Sequence, residues 1–524
     1  MPEDAGVKCV RPSRHGGSMC RPRIAYRGRC RPAGLPYFAC LALLAASSTA
    51  ASLIGGDLRL IEAVKSGNRE AVRALIARHT PVNAPEADGT TALHWAARAN
   101  DTQMARILLR AGAAAGAANR YGMTPLMLAG MSGSAPMIDL LLEAGADPNT
   151  ALPDGQTVVM AAARTGSLAA VEELLARGAD PNAREGRLGE TALMWAAAEN
   201  HAPVILALAS AGADVNARSR PSDFPRYSFG DGIVALMMTL PRGSWTPLMY
   251  AARQGAVDAV RALLDAGADP DLADPEGSTP LLLAIDNAHY DVALLLIEAG
   301  ASPDASDVTG TTPLYAAVNM HTLGDLPGRP APRSRGEATA VDVATALLTH
   351  GADPNRRLAT PILQRHHSAG DSTLGEGATP LLRAAKTGDV PMMRLLLEHG
   401  ADASLTTKNG TTAVMFAVGP VAGGLGGGYP VSDAEKIAAM DLALAHGVDI
   451  NASDVNGQTA LHVAAGQASA GVVEAVVQRG ASLDRKDNQG RTPIEIARGA
   501  GGRGGRPVRS DIVDLLERLA SHRP

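Results

Sequence analysis

From Leu58 to Leu519 the chain repeats one arrangement of apolar and polar positions, clearest between Thr124 and Asn149. Thr124 is placed to cap a helix, and Pro125 suits its first turn, where a missing N–H costs nothing. Leu126, Ala129 and Gly130 then share one face. Gly133 breaks the helix, and Met137, Ile138, Leu140 and Leu141 give a second helix its apolar stripe. Gly145 is placed to end that helix in a left-handed turn. Asp147-Pro148-Asn149 leads into an extended arm, and Asp154-Gly155 supplies a tight turn at its tip. The pattern predicts two antiparallel helices followed by a hairpin finger.

The opening Thr recurs at residues 91, 124, 157, 191, 246, 279, 312, 379, 412, 459 and 492, most often 33 residues apart. A second marker, a Gly followed in most units by Ala-Asp, falls at residues 112, 145, 178, 212, 267, 300, 351, 400, 447 and 480. Two independent markers in one register define a repeat array, and a unit that cannot bury its own apolar face must stack on neighbours.

This pattern resembles the ankyrin repeat, whose signature is Thr-Pro-Leu-His-x-Ala. The clearest matches are Thr91-Ala92-Leu93-His94-Trp95-Ala96-Ala97 and Thr459-Ala460-Leu461-His462-Val463-Ala464-Ala465. Elsewhere Met127, Met160, Met194, Met249 and Met415 stand where the family has His. The resemblance covers Asp57 to Leu519 and implies a mainly α solenoid of about twelve helix-turn-helix units with β-hairpin fingers. Residues 57–80 read as the N-terminal cap and residues 492–519 as the C-terminal cap. The resemblance also implies that His braces neighbouring helices and turns, so its loss weakens local hydrogen bonding without changing the fold.

Four departures from the register place inserts on particular loops. Residues between Gly212 and Thr246, and between Gly351 and Thr379, lengthen two fingers; extra residues after Thr312 and after Thr412 lengthen two helix-to-helix turns. The first insert, Ser219 to Gly243, holds Phe224, Tyr227 and Phe229 in a chain with only four Phe. Aromatics in a loop imply something to pack against, either the neighbouring fingers or a partner.

Composition changes the picture at the N-terminus. Apolar residues make up 46% of the chain and aromatics 3%, as suits small-residue helix pairs. The first fifty residues hold all four cysteines and eight Lys or Arg, followed by an apolar run from Leu35 to Ala46 and by Ser48-Thr49-Ala50. This reads as a bacterial export signal starting at Met1 or Met19, with residues 51–519 as the array delivered to the periplasm or beyond. Without residues 1–50 the formal charge moves from −5 to −11, which argues against a nucleic-acid partner. No later stretch is long and apolar enough to span a membrane.

Signals for chemistry are weak. His366-His367 lies near Asp371 and Glu376, but adjacent histidines point apart. The run Gly423 to Gly428 has no Lys-Ser or Lys-Thr after it, so it reads as a flexible turn. No cofactor or metal site is expected. In the family, the first helices and fingers form a concave palm faced by the seventh and eighth residues after each motif Thr and by the finger tips. The resemblance therefore points to Arg98, Arg164, Glu199, Arg253, Gln254, Asp286, Asn287 and Lys386, with Tyr121 on a finger tip and Phe224, Tyr227 and Phe229 on the long one. The expected function is a monomeric, non-catalytic scaffold for a partner protein. The alternatives are a hydrolase-type enzyme with a site built from the inserts at 219–243 and 356–375, and a secreted effector directed at a host.

Overall fold

The computed structural model describes residues 58–221, 243–323, 332–360, 374–419, 431–499 and 508–521, together with the backbone of residues 227–229 and 236–238. Contacts divide the chain into residues 1–56 and 57–524. The first unit, with the cysteines and the run expected to be an export signal, lies outside the described residues. So do Phe224, His366, His367 and the run Gly423 to Gly428, and most of the two finger inserts.

Twenty-four helices occur among the described residues of the second unit. They form twelve consecutive pairs, the number the register gives. The N-terminal pairs are α1 (Arg59–Lys65) and α2 (Arg69–Ala77), α3 (Ala92–Arg98) and α4 (Thr102–Arg110), α5 (Pro125–Ser132) and α6 (Ala135–Glu143), and α7 (Val158–Thr165) and α8 (Leu168–Ala176). They continue with α9 (Ala192–Ala198) and α10 (Ala202–Ser210), α11 (Pro247–Gln254) and α12 (Val257–Asp265), and α13 (Pro280–Asp286) and α14 (Tyr290–Glu298). Next come α15 (Pro313–His321) and α16 (Ala340–Thr349), α17 (Pro380–Lys386) and α18 (Val390–Glu398), and α19 (Ala413–Val418) and α20 (Asp433–Ala445). The array closes with α21 (Ala460–Gln467) and α22 (Ala470–Gln478), and α23 (Pro493–Ala497) and α24 (Ser510–Ser521).

Each odd-numbered helix packs on the next, so the first helices form one unbroken row from α1 to α23. Small residues allow the close approach. A Cβ on Gly130 of α5 would lie 2.7 Å from Val158 Cγ1 of α7. One long apolar core, mostly Ala, Leu, Val, Ile and Met, runs from Leu60 to Leu516, and Trp245, Met249 and Leu283 form a second, small cluster.

Each sequence marker has a hydrogen-bonding reason. Thr124, Thr191, Thr279 and Thr379 each accept a bond from the N–H three residues on, capping a helix. Gly145 ends α6 at φ 85°, a backbone only Gly adopts without strain. The Asn four places after Gly145, Gly178, Gly351 and Gly447 then ties one repeat to the next. Asn149 Nδ2 donates to Gly178 O (3.0 Å), and Asn149 Oδ1 accepts from Asp180 N (2.8 Å). Asn182 repeats the arrangement with Gly212 and Asp214.

The fingers are closed by turns rather than by strand ladders. Gly89 N donates to Glu86 O and Glu86 N to Thr90 O, and the arms are too short for more. Adjacent tips are linked by single bonds such as Arg120 N to Asp88 O (2.8 Å) and Val308 N to Glu276 O (2.9 Å). Among the described residues paired strands occur in the first insert alone, where β1 (Tyr227–Phe229) runs antiparallel to β2 (Leu236–Met238) with Tyr227 opposite Met238. That finger is long enough for a ladder.

The two retained motif histidines make three bonds each. His94 Nδ1 meets Thr91 N (3.1 Å) and Thr91 Oγ1 (2.8 Å), and its Nε2 lies 2.9 Å from Met123 O in the next finger. His462 does the same with Thr459 and Arg491 O. Because Nδ1 accepts a backbone N–H, the proton sits on Nε2 and the ring is neutral. Burial accordingly holds both histidines below the ordinary imidazole pKa. At two of the positions where Met replaces His, the sulfur takes over one role: Thr157 N lies 3.4 Å from Met160 Sδ and Thr246 N lies 3.5 Å from Met249 Sδ.

His321, at the end of α15, behaves oppositely. Its Nδ1 lies 2.6 Å from Oδ2 of Asp389, whose other oxygen caps α18. That hydrogen bond pushes the His321 pKa up, against the effect of burial. Stability from His94 and His462 is present above the unfolded pKa and lost as pH falls toward their lower folded values. Stability from His321 is present below the unfolded pKa and lost as pH rises through its higher folded value. The double variant His94→Met, His462→Met is therefore expected to lose less stability than the parent between pH 7 and pH 5, measured as urea midpoints. An equal loss would show that the two neutral rings do not govern acid sensitivity.

Candidate functional site

The first helices and the fingers enclose a groove, and the residue four places after each motif Thr lines it. In three repeats that residue is a half-buried aromatic, Trp95 on α3, Trp195 on α9 and Tyr250 on α11, with Leu128 and Ala161 at the two positions between the tryptophans. The third tryptophan, Trp245, immediately precedes a motif Thr, and the chain has no other.

Around Trp95 the groove has a volume of about 310 Å³ and includes Asp88, Arg98, Tyr121, Met123 and Leu128 in its lining. Trp95 Nε1 donates to Glu86 Oε2 (2.8 Å), and Lys65 Nζ donates to Glu86 Oε1 (2.6 Å) while lying 4.1 Å from the Trp95 ring centre. The Arg98 guanidinium covers the same ring at 5.3 Å. Tyr121 is 60% exposed on its finger tip, with Arg120 at 5.2 Å from its ring.

Around Trp195 a second hollow of about 200 Å³ is lined by Arg164, Glu190, Met194, Ala198, Glu199 and Tyr250. Glu190, at the base of the finger, accepts from Trp195 Nε1 (2.8 Å) through one oxygen and from Tyr250 OH (2.7 Å) through the other. Burial and the Glu190 carboxylate raise the Tyr250 pKa, so the phenol stays protonated and donating. Arg164 lies 5.8 Å from the Trp195 ring and 3.8 Å from Glu199.

Trp245 extends the aromatic row. It meets Tyr250 edge-on at 5.5 Å, and Arg253 covers its ring at 5.2 Å. Its Nε1 is buried without an acceptor among the described residues. Ser219 N donates to Trp245 O, and Trp245 N donates to Ser219 Oγ, each at 2.9 Å, pinning the base of the long finger.

Histidines of the following repeat fix the backbone beneath two of the arginines. His201 Nε2 lies 3.1 Å from Arg164 O and His289 Nε2 lies 3.0 Å from Arg253 O. Their rings pack over Gly166 and Gly255, where a Cβ would approach within 2.6 Å and 2.5 Å.

The residues expected in the palm divide accordingly. Arg98, Arg164, Glu199, Arg253 and Gln254 are exposed, and the first four cluster around the tryptophans. Asp286 and Asn287 are half-buried, with Asn287 Nδ2 donating to Leu283 O (2.8 Å). Lys386 departs from expectation: it is 5% exposed, beside the equally buried Arg383, whose Nε donates to Asn319 Oδ1. The register places Lys386 correctly on α17, but packing covers that turn of the helix. Tyr227 and Phe229 lie in β1, and their side chains are outside the described residues. The register rule missed Trp95, Trp195, Trp245, Tyr250 and Glu190. An aromatic recurring four places after the motif Thr in a chain with so few was the available signal.

Among the described residues no group of three His, Cys, Asp or Glu could hold a metal ion, and no helix is long and apolar enough to cross a membrane. The chain matches the family of ankyrin repeats in three copies over residues 60–152, 146–219, 232–307, 248–358 and 346–421. Ankyrin repeats in many copies match at residues 444–497. No curated protein matches. Among solved structures the human ASB11 ankyrin repeat domain is 27% identical, covering 45% of this chain and 96% of that one at a TM-score of 0.37. With the signature repeats matched across most of its length and the paired helices stacked in that register, the chain belongs to the ankyrin-repeat family.

Proposed function

We propose that this protein is a non-catalytic scaffold that holds a partner protein in the groove between its first helices and fingers. Ankyrin repeats indicate protein–protein interaction, and the observation that carries the choice of face is the aromatic row Trp95, Trp195, Tyr250 and Trp245. Half-buried aromatics beside arginines are the composition of interface hot spots. The long finger starts beside Trp245, and its sequence adds Phe224, Tyr227 and Phe229. Residues 1–50 add an export address in this reading, and their removal would appear as a mature N-terminus near residue 51 in the mass of the secreted chain.

The test is a pull-down from native extract with the full chain, with Trp195→Ala, and with a chain lacking residues 223–239. A partner retained by the first and lost by the second and third is the expected result. Equal retention by all three would remove the groove from recognition.

A further inference from the structure

We infer that the N-terminal half of the groove, from Trp95 to Trp245, takes an extended acidic segment of the partner, with carboxylates on Arg98, Arg164 and Arg253. This rests on the reading of the groove as the partner-binding face and names the chemistry of what it binds.

The groove holds unused hydrogen-bonding capacity of one kind. Both oxygens of Glu86 are engaged, one by Lys65 and one by Trp95. Both oxygens of Glu190 are engaged, one by Tyr250 and one by Trp195. Apart from Glu199, which has only a loose ion pair, the carboxylates that hold the aromatic row are therefore satisfied from within. The donors are not. Arg98 and Arg253 rest on tryptophan faces and have no ion-pair or hydrogen-bond acceptor for their guanidinium among the described residues. Arg164 has a single loose pair with Glu199 at 3.8 Å, both side chains more than half exposed. Such a pair contributes little in water and is readily exchanged.

A guanidinium held over a ring spends no N–H on it, so its planar fork stays available to meet a carboxylate with two parallel bonds. Three such donors recur along one row of first helices, α3, α7 and α11, in a chain whose formal net charge is −5. A charge-complementary ligand is thus one that is acidic where it enters the groove. Its apolar side chains would fill the hollows beside Trp95 and Trp195. The chain's own first fifty residues do not fit this description, because they carry eight Lys or Arg against two acids.

Trp95 and Trp195 line this surface and Trp245 is buried directly beneath Arg253, so intrinsic emission reports it without a label. The full-length protein is to be panned against a randomised dodecapeptide library, and the recovered peptides titrated by tryptophan emission. Recovered sequences are expected to be acidic with interspersed apolar residues, to weaken with added salt, and to bind at least tenfold less tightly to Arg98→Gln, Arg164→Gln, Arg253→Gln. The triple variant should keep the parent's urea midpoint, since the arginines are exposed.

Recovery of neutral or basic peptides, recovery of none, tighter binding of a single-stranded oligonucleotide, or unchanged affinity in the triple variant would overturn the inference. The groove reading fails separately. A native partner lost by Trp195→Ala but held by the triple arginine variant sinks only the acidic ligand, whereas one indifferent to Trp195→Ala sinks the groove itself.

Discussion

Replacing Leu141 by Ala is expected to destabilise the third repeat by about 2–5 kcal/mol and to divide the array into two unfolding units. Leu141 is fully buried in α6, where it faces the core shared with the neighbouring pairs. Removing its methyl groups leaves a cavity that helices held by flanking repeats on both sides cannot close. Because each repeat touches only its neighbours, stability is a sum of repeat and interface terms, and a weakened middle term uncouples what lies on either side. Urea unfolding followed by circular dichroism should therefore broaden or split into two transitions. Met131→Ala, at a side chain 52% exposed in α5, should leave the curve unchanged. A single sharp transition displaced as a whole in Leu141→Ala would show that the array unfolds as one unit.

Trp195→Ala is expected to weaken partner binding about 30-fold or more, equivalent to about 2 kcal/mol or more. Its ring forms the floor of one hollow and carries Arg164, and its N–H occupies one oxygen of Glu190. Truncation removes the apolar floor and leaves that oxygen unpaired, which also disfavours a carboxylate arriving nearby. The ring is only half-buried, so the fold should tolerate the change better than it tolerates loss of Leu141. Calorimetric titration against the captured partner measures the effect. Affinity within threefold of the parent would move recognition away from this hollow.

Much of this architecture was legible in the chain. Thr124, Pro125, Gly133 and Gly145 each dictate a local backbone event, and they recur in register, so helix boundaries and insert positions follow from counting. The helix-to-helix inserts fall between His321 and Ala340 and between Val418 and Asp433, where the count puts them. The site was less legible. Counting seven places from the motif Thr found Arg98, Arg164 and Arg253, because periodicity fixes which helical face a residue shares. It could not find Glu190, whose role depends on Trp195 and Tyr250 converging on it from two different repeats. Nor could it show that Lys386 is covered while Arg253 is open.

What the sequence determined by itself was the repeat: its capped helices, its left-handed glycine turns and its number, all set by residues a few places or one period apart. What only the tertiary structure decided was which palm positions keep free donors, because burial and pairing depend on the neighbours brought over each side chain. His94 and His321 show the same division. Both are histidines at helix ends, but one is held neutral by Thr91 and Met123 and the other is charged more readily by Asp389, sixty-eight residues away.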